Sequence, residues 1–348
     1  MLRALKISGV FSLLLATALG VPASASVEYH QQSAVGQKLK LPVHEWVNSE
    51  KQPVGIVVAN QGLVFSGKAY DSLARHLAAD GYKVYALDFR GFGDWTRNTS
   101  EFTGDPAIHF TQTKEDLTAV LKQLREDYPG TPICLMGESF GANYAIWEAS
   151  TEPTLVDGVI ATSTCFQLCV HPRPLWFYTF AVGIVRPKHP LNVAPYLAPI
   201  LSEDRSLTDK CLKDPEVCTR MSGTDLVKAM ITNRYSLEQL EKIPHNMPIL
   251  LIAGQKDQVQ NSNKIKSVLN RIGSKKVKVA LFPQRGHLLL EHQSVDPDVA
   301  RTVDSWLAEN ISTERPTSDA SKQAQHGNTP VADHGVSKAL GTPSTTTF

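Results

Sequence analysis

The stretch that most constrains the fold is residues 133–150, ICLMGESFGANYAIWEAS. A short apolar run, residues 133–136, predicts a buried strand, and the alanines that recur at helical spacing after Gly141 predict a helix. Glycines flank Ser139 in the pattern Gly-x-Ser-x-Gly, which lets neighbouring backbone pack closely around a sharp turn. We therefore expect the Ser139 hydroxyl to stand above a sheet edge. A serine that merely caps the helix is the alternative interpretation.

Strand and helix patterns alternate on both sides of this turn. Apolar runs predict strands at residues 54–59, 82–88, 158–162, 248–253 and 276–282, and helices at residues 70–80, 113–127, 261–271 and 296–308. An early alternating segment, residues 37–46, is also predicted to be a strand. Such alternation is typical of an α/β fold with a mostly parallel central sheet flanked by helices. A chain of 348 residues with 42% apolar content is long enough for one such domain.

The regular pattern lapses at residues 164–244, where prolines, cysteines and aromatic residues crowd together. We interpret this segment as a cap inserted into a core formed by residues 26–163 and 245–311. Polar and charged residues dominate residues 312–348, which predicts a disordered tail.

The chain begins with a pattern typical of an export signal. Arg3 and Lys6 precede an apolar run at residues 7–19, and Ala23-Ser24-Ala25 follows as a small-residue cleavage site. We expect residues 1–25 to be a signal peptide and the protein to be secreted or periplasmic. The net charge of +1 argues against a nucleic-acid partner, and nothing in the sequence indicates an obligate protein partner.

Export changes the interpretation of the five cysteines, because thiols tend to pair in an oxidising compartment. Cys134 lies in the predicted strand before Ser139 and is expected to be a buried free thiol. Cys165, Cys169, Cys211 and Cys218 all lie in the cap, where one or two disulfides of open connectivity would brace it. No spacing of histidine and cysteine indicates a metal site, and no cofactor is predicted.

Catalysis by a serine hydroxyl requires a histidine that takes its proton and a carboxylate that orients the histidine. Asp257 and His287 each follow a predicted strand, and the chain order Ser, Asp, His is that of one known arrangement of such triads. Because the carboxyl ends of parallel strands meet at one edge, we expect these side chains to converge with Ser139. His292 and Asp225 are the rival candidates.

Two backbone N–H groups are needed to bind the oxyanion that forms in acyl transfer. One should be the N–H of Phe140, which follows the serine. The other should come from Leu63, in the loop Asn60-Gln61-Gly62-Leu63 after a predicted strand. An ordinary turn is the alternative interpretation of this loop.

A family resemblance rests on several of these segments together. The run NQGLVFSGKAYDSLARHLAADGYKVYALDFRGFGDW, with GESFG, GQKDQV and RGH further along, resembles monoacylglycerol lipases and related lysophospholipases of the α/β-hydrolase superfamily. The cap portion LSEDRSLTDKCLKDPEVCTR is also similar, and the resemblance covers roughly residues 54–307. It implies the α/β-hydrolase fold and hydrolysis of a lipid-like carboxylic monoester through an acyl-enzyme, without a cofactor.

Carried over to matching positions, the resemblance implies Ser139 as nucleophile, His287 as general base and acid, and Asp257 as orienting carboxylate. Leu63 and Phe140 would supply the oxyanion donors. No metal ligand is implied.

The chain departs from the family pattern at two positions, and these departures bear on substrate preference. Gln61 stands before Gly62 where the family usually has histidine, and Glu138 stands in the serine motif where histidine is common. A thioesterase or an aminopeptidase-type amide hydrolase on the same scaffold is the second hypothesis. A non-catalytic lipid-binding protein is the third.

The most apolar part of the mature chain is PLWFYTFAVGIV, residues 174–185 in the cap. One interpretation is that it holds an acyl chain over Ser139 and makes peripheral contact with a membrane. The other is that it simply covers the sheet.

Overall fold

The computed structural model describes residues 27–97, 101–166, 181–202, 204–262, 265–291 and 293–313. The predicted signal peptide, Cys169, His292, residues 174–180 of the apolar cap stretch and residues 314–348 of the predicted tail lie outside these ranges. No helix in the described ranges has the length and apolar character needed to cross a bilayer.

The centre of the described structure is an eight-stranded sheet. Its strands are β1 (Val27–His30), β2 (Val43–Asn48), β3 (Gly55–Asn60), β4 (Tyr82–Leu87), β5 (Ile133–Glu138), β6 (Gly158–Thr162), β9 (Ile249–Gly254) and β10 (Val277–Phe282). The strands lie in the order β1-β2-β4-β3-β5-β6-β9-β10. All neighbours from β4 to β10 pair in parallel, whereas β2 pairs antiparallel with both β1 and β4. This arrangement confirms the predicted α/β-hydrolase fold with a mostly parallel sheet.

Helices flank the sheet and also lie in the described part of the segment predicted to be the cap, residues 164–244. They are α1 (Ala34–Leu39), α2 (Asp71–Ala79), α3 (Phe110–Asp127), α4 (Phe140–Thr151), α5 (Ala194–Leu197), α6 (Arg205–Lys213), α7 (Gly223–Glu238), α8 (Ile265–Leu269) and α9 (Pro297–Asn310). A two-stranded antiparallel ribbon, β7 (Pro190–Asn192) with β8 (Arg220–Ser222), lies in the cap segment between β6 and β9.

The central strand β5 shows why the sheet is buried on both faces. Ile133 and Leu135 belong to the core cluster that includes α3 and α4, whereas Cys134 and Met136 belong to the opposite cluster with α2 and α9. Successive side chains of a strand point to opposite faces, so an unbroken apolar run fits a strand covered twice. This double cover holds the end of β5, and therefore Ser139, in a fixed position.

The early strand predicted at residues 37–46 is confirmed only for residues 43–46, which belong to β2. Residues 34–39 form the helix α1, because the Ser33 side chain accepts from the N–H of Gly36 and so caps the helix. The helix ends at Leu39, the next residue Lys40 has a φ of 54°, and β2 begins only at Val43. Short apolar alternation did not distinguish a capped turn of helix from a strand.

The segment predicted to be the cap and the first residues of the predicted tail both form backbone hydrogen bonds with the core. In the cap, the carbonyl of Leu201 accepts from the N–H of Leu288, which follows His287. At the other end, Thr313 donates its N–H to the carbonyl of Val54 at 2.8 Å, so the first residues of the predicted tail still pair with the sheet domain.

Candidate active site

Ser139 occupies a sharp turn between β5 and α4. Its φ of 55° and ψ of −117° are rare for a residue other than glycine, which marks a strained position of the kind that concentrates at functional sites. A Cβ on Gly137 would lie 2.3 Å from the carbonyl oxygen of Gly141, and one on Gly141 would lie 1.9 Å from that of Asn60. The close packing around the turn therefore requires both glycines of the motif.

The structure brings together the three side chains that the sequence singled out. His287 Nε2 lies 2.8 Å from Ser139 Oγ, and His287 Nδ1 lies 2.8 Å from Asp257 Oδ2. Ser139 keeps partial exposure, whereas His287 is buried. The imidazole thus bridges a hydroxyl and a carboxylate. This is the arrangement that an imidazole needs to take a proton from a serine hydroxyl.

Backbone contacts between two loops set the relative positions of Asp257 and His287. Lys256 donates its N–H to the carbonyl of Arg285 at 2.9 Å, so the loops after β9 and β10 pair with each other. The other carboxylate oxygen, Asp257 Oδ1, accepts from the N–H groups of Val259 and Gln260 at 2.8 and 3.1 Å. These bonds leave Oδ2 directed at the imidazole.

The pKa of His287 is raised above its ordinary value of 6.5. Burial alone would lower this pKa, but the charge of Asp257, its hydrogen bond to Nδ1 and the charge of Glu138 outweigh burial. The Asp257 carboxylate therefore favours the protonated form of the His287 imidazole.

The loop after β3 packs directly on the serine turn. Tyr70 donates its hydroxyl to the carbonyl of Asn60 at 2.9 Å, and the Gln61 side-chain amide donates to the carbonyl of Phe65 across the loop. Leu63 lies in this braced loop, and Phe140 follows Ser139 at the start of α4. Both predicted oxyanion donors therefore belong to segments that border the serine.

Residues of the cap segment hold the same loop from the other side. Cys218 donates its N–H to the carbonyl of Val64, whose φ is 76°. The Glu216 carboxylate contacts Ser66 Oγ and Lys68 Nζ, each at 3.0 Å. Sequence patterns did not indicate these contacts, because they join positions about 150 apart in the chain.

The rival acid Asp225 does not enter the site as described. Asp225 accepts from the N–H and hydroxyl of Ser222 while Ser222 accepts from the N–H of Asp225, which forms a capping box at the start of α7. His292 lies outside the described residues.

The predicted disulfides of the cap are not formed at the cysteines that can be described. Cys165, Cys211 and Cys218 are free thiols, as is the buried Cys134. Cys165 instead lies beside the serine, with its Sγ 3.7 Å from Ser139 Oγ. Its place next to the reacting hydroxyl could not be read from cysteine spacing, because spacing carries no information about distant turns.

Two clusters of the described chain bring a histidine and two aspartates together, at His44, Asp88 and Asp94 and at His76, Asp80 and Asp304. In the buried cluster, both oxygens of Asp88 already accept backbone N–H groups, from Gly67 and Asp94. His44 Nε2 lies 3.2 Å from Asp88 Oδ2 at the start of the loop after β4. Burial would lower the pKa of His44, but the nearby carboxylates, mainly Asp88, outweigh burial and raise this pKa.

The described part of the cap exposes apolar side chains. Val227, Met230, Ile231 and Tyr235 recur at helical spacing on α7 and remain largely exposed. Ile184 and Val185, at the end of the apolar stretch predicted to lie over the site, are also exposed.

Comparison with known proteins places these features in a family context. A family model described as "Serine aminopeptidase, S33" matches residues 51–294. Human monoglyceride lipase is 24% identical over 272 residues, which covers 75% of this chain and 84% of the human protein. A monoacylglycerol lipase of Mycolicibacterium smegmatis is 22% identical over 282 residues, covering 77% and 93% of the two chains.

Solved structures share the fold at similar sequence distance. The monoacylglycerol lipase of Paleococcus ferrophilus superposes with a TM-score of 0.62 at 21% identity, covering 77% of this chain and 98% of that one. A thermostable carboxyl esterase of Bacillus coagulans gives a TM-score of 0.63 at 22% identity, with 82% and 99% covered.

Proposed function

Since this chain belongs to the serine aminopeptidase S33 family of hydrolases, we propose that it is a serine hydrolase that cleaves carboxylic esters, with monoacylglycerol- or lysophospholipid-like substrates. The observation that carries the proposal is the His287 imidazole between Ser139 Oγ and Asp257 Oδ2, at 2.8 Å from each. The relatives named as monoglyceride lipases support the choice of a lipid-like ester.

The geometry supports a two-step mechanism through an acyl-enzyme. Ser139 Oγ attacks the ester carbonyl while its proton passes to His287 Nε2, and Asp257 stabilises the resulting imidazolium. The carbonyl oxygen becomes an oxyanion, which the N–H groups of Leu63 and Phe140 would bind. The imidazolium then gives its proton to the leaving alkoxide, so that an alcohol departs and the acyl group stays on Ser139.

The second step reverses these roles with water as the nucleophile. His287 takes a proton from water as the hydroxide oxygen attacks the acyl-enzyme, and the proton then returns to Ser139 Oγ when the bond to the serine breaks. The products are a carboxylic acid and the free enzyme.

The proposal is tested by active-site labelling. The purified protein should react covalently with a fluorophosphonate probe and hydrolyse p-nitrophenyl esters, and Ser139→Ala should abolish both. Ser150→Ala is the matched control, because Ser150 lies on α4 with its hydroxyl bonded to the carbonyl of Trp147 and away from His287. Labelling that persists in Ser139→Ala would refute the assignment.

A second candidate, amide or thioester hydrolysis, draws on the family's own description as a serine aminopeptidase. The same nucleophile and base serve either bond, so the scaffold alone does not choose between them. A panel of monoacylglycerols, lysophospholipids, acyl thioesters and aminoacyl amides under identical conditions decides. Esters should be cleaved with the highest kcat/KM, whereas dominance of the amides would favour the second candidate.

We also propose that the cap contacts lipid surfaces that supply such substrates. The exposed residues Val227, Met230 and Ile231 on α7 support this contact, since exposed apolar side chains on one helical face favour interfacial binding. Binding to phosphatidylcholine vesicles should fall when Met230 and Ile231 are both changed to Ser, while turnover of a short soluble ester stays the same. Equal vesicle binding by both proteins would contradict it.

Export of the protein is likewise a proposal, supported by the charged, apolar and small-residue segments of residues 1–25. Expression of the full chain in a host with a secretory pathway should yield extracytoplasmic protein whose first residue is Ser26. Recovery of the uncleaved chain from the cytosol would contradict it.

A further inference from the structure

Two glutamates lie directly behind the serine turn, and the mechanism above does not use them. Glu138 precedes Ser139, is fully buried, and accepts from the backbone N–H groups of Leu289, Leu290 and Glu291 at 2.7 to 3.2 Å. These three amides follow His287 in the chain. The Glu138 carboxyl therefore joins the serine turn to the segment that carries the histidine.

The Glu291 carboxyl reaches a third segment. It is also buried, and its Oε1 accepts from the N–H of Gly62 at 2.7 Å. Gly62 immediately precedes Leu63, the second predicted oxyanion donor. A Cβ on Gly62 would lie 2.7 Å from Glu291 Oε2, so the loop backbone rests on this carboxyl. The other oxygen, Oε2, has no hydrogen-bond partner within the described residues.

The surroundings of the pair favour one negative charge over two. No lysine or arginine in the described ranges forms an ion pair with either carboxyl, and the titratable groups that face them are His287, Tyr70 and Cys211. Glu138 has three N–H donors, whereas Glu291 has one. A proton shared by the pair is therefore held mainly by Glu291.

Burial raises the pKa of Glu138 to about 7, against lowering by the three backbone N–H groups and by the charge of His287. Burial and the charge of Glu138 raise the pKa of Glu291 well above the usual carboxyl range, against a smaller lowering by the Gly62 N–H. Loss of the shared proton would leave two buried negative charges without an ion-pair partner among the described residues, and their repulsion would push the Gly62 loop away from the serine turn.

We propose that Glu138 and Glu291 are positioning residues, which share one proton and hold the Leu63 loop in register with Ser139. The inference rests on the proposed function, because it assigns the pair to the geometry of the oxyanion site. It follows that kcat declines at alkaline pH as the shared proton is lost. KM should change little, since both carboxyls are buried behind the serine turn, away from a bound acyl chain.

Substitution by glutamine distinguishes the role of the Glu138 carboxyl from that of the Glu291 carboxyl. In Glu291→Gln the amide oxygen still accepts from Gly62 and the amide nitrogen replaces the protonated oxygen, so the variant imitates the proposed state without ionising. This variant should retain most of the kcat of the unchanged protein at pH 7, and its kcat should not decline at alkaline pH. In Glu138→Gln an amide nitrogen would face backbone N–H groups, and kcat should fall by about tenfold or more.

Removal of the Glu291 carboxyl tests the importance of its hydrogen bond with the Gly62 N–H. We expect Glu291→Ala to lower kcat by about 10- to 100-fold with KM within about twofold, because the oxyanion donor is misplaced while the acyl site is intact. Glu148→Gln is the matched control: Glu148 is a buried glutamate that contacts Lys114 and Thr118, and this change should leave the alkaline decline in place.

The thermal midpoint, Tm, gives a readout independent of turnover. A folded-state pKa raised above the unfolded value means that the stabilising effect of Glu291 is complete below the unfolded pKa and declines as pH rises toward the folded pKa. The Tm of Glu291→Gln minus that of the unchanged protein should therefore increase from pH 4 to pH 9.

The outcomes are distinguishable. An alkaline decline that persists in Glu291→Gln, a Tm difference that falls with pH, or activity retained by Glu138→Gln but lost by Glu291→Gln would each overturn the inference. If the unchanged protein cleaves no ester and takes no fluorophosphonate label, the proposed function fails instead. The Tm series then still decides whether the pair shares a proton.

Discussion

The thiol of Cys165 lies 3.7 Å from the hydroxyl of Ser139, and its carbonyl accepts from the side-chain amide of Asn233 on α7. Burial raises the pKa of Cys165 to about 12, so the sulfur is a neutral thiol at neutral pH. It therefore acts as a small apolar neighbour of the nucleophile and as a contact between the core and the cap helix.

Position 165 should tolerate a smaller side chain but not a larger one. Cys165→Ala is expected to keep kcat/KM for a short ester within about threefold, whereas Cys165→Leu should lower it by about tenfold or more, since added methyl groups would overlap the space beside Ser139. Steady-state kinetics on a p-nitrophenyl ester measures both. A leucine variant as active as the alanine variant would show that this space is not used.

Asp257→Asn should abolish most activity while the fold persists. The asparagine oxygen can still accept from Val259 and Gln260, but its amide nitrogen would face His287 Nδ1 and favour the wrong imidazole tautomer. We expect kcat to fall by about 1,000-fold or more with Tm nearly unchanged. A variant that retains a tenth of the activity would exclude Asp257 as the orienting carboxylate.

The acid limb of the pH profile should report His287. Only the neutral imidazole accepts the Ser139 proton, so kcat/KM rises with pH as His287 loses its proton. Because Asp257 and Glu138 raise the pKa of His287, the midpoint should lie above 6.5. Imidazole NMR signals titrated in parallel should show the same midpoint, and a midpoint well below 6.5 would argue for a different essential base.

Gly141→Ala should destabilise the protein strongly. The new Cβ would lie 1.9 Å from the carbonyl oxygen of Asn60, so the serine turn or the loop after β3 must move. We expect a loss of about 3 kcal/mol in the free energy of unfolding, measured by denaturant titration. Gly130→Asn is the control, since Gly130 has a φ of 81° with nothing within 4 Å, and asparagine tolerates that region.

Glu216 should stabilise the contact between cap and core. It contacts Ser66, Lys68 and Arg97, and Glu216→Gln should cost about 1 to 2 kcal/mol in unfolding experiments. Burial would raise its pKa, but Lys68 and Arg97 lower it overall, so this stabilisation is present above the usual carboxyl pKa and is lost as pH falls.

Glu238→Gln is the control for this change, because the Arg234–Glu238 pair is exposed on α7 and should contribute little. An equal loss of stability in both variants, or none in Glu216→Gln, would contradict the assignment.

The sequence predicted the central architecture because its signals are local and repeated. Long apolar strands, each followed by a helix, indicate a parallel sheet, and the fold and the resemblance to monoacylglycerol lipases were confirmed. The meeting of Ser139, Asp257 and His287 followed from one rule, that parallel strands end at the same edge. Their catalytic roles, and those of Leu63 and Phe140, stay predictions.

Other features could not be predicted, because they depend on contacts between distant segments. The hold of Glu291 on Gly62 joins residues 229 positions apart, and no local pattern marks either as a partner. The helix at residues 34–39 depends on the Ser33 cap, and the alternation of apolar residues used to predict a strand there takes no account of capping. The disulfides were inferred only from the oxidising compartment that export would imply, and the three described cap cysteines are free thiols.

The cap segment leaves the sheet after β6 and returns at β9, and these two strands are hydrogen-bonded neighbours. Because these strands are parallel, the insertion starts at one edge of the sheet and ends at the opposite edge, and both of its ends stay fixed whatever the length or shape of the chain between them. Because closing a longer loop between fixed ends costs little additional entropy, evolution can rebuild this insertion while the proton-transfer groups keep their spacing. Preference for one substrate over another can therefore diverge separately from the chemistry.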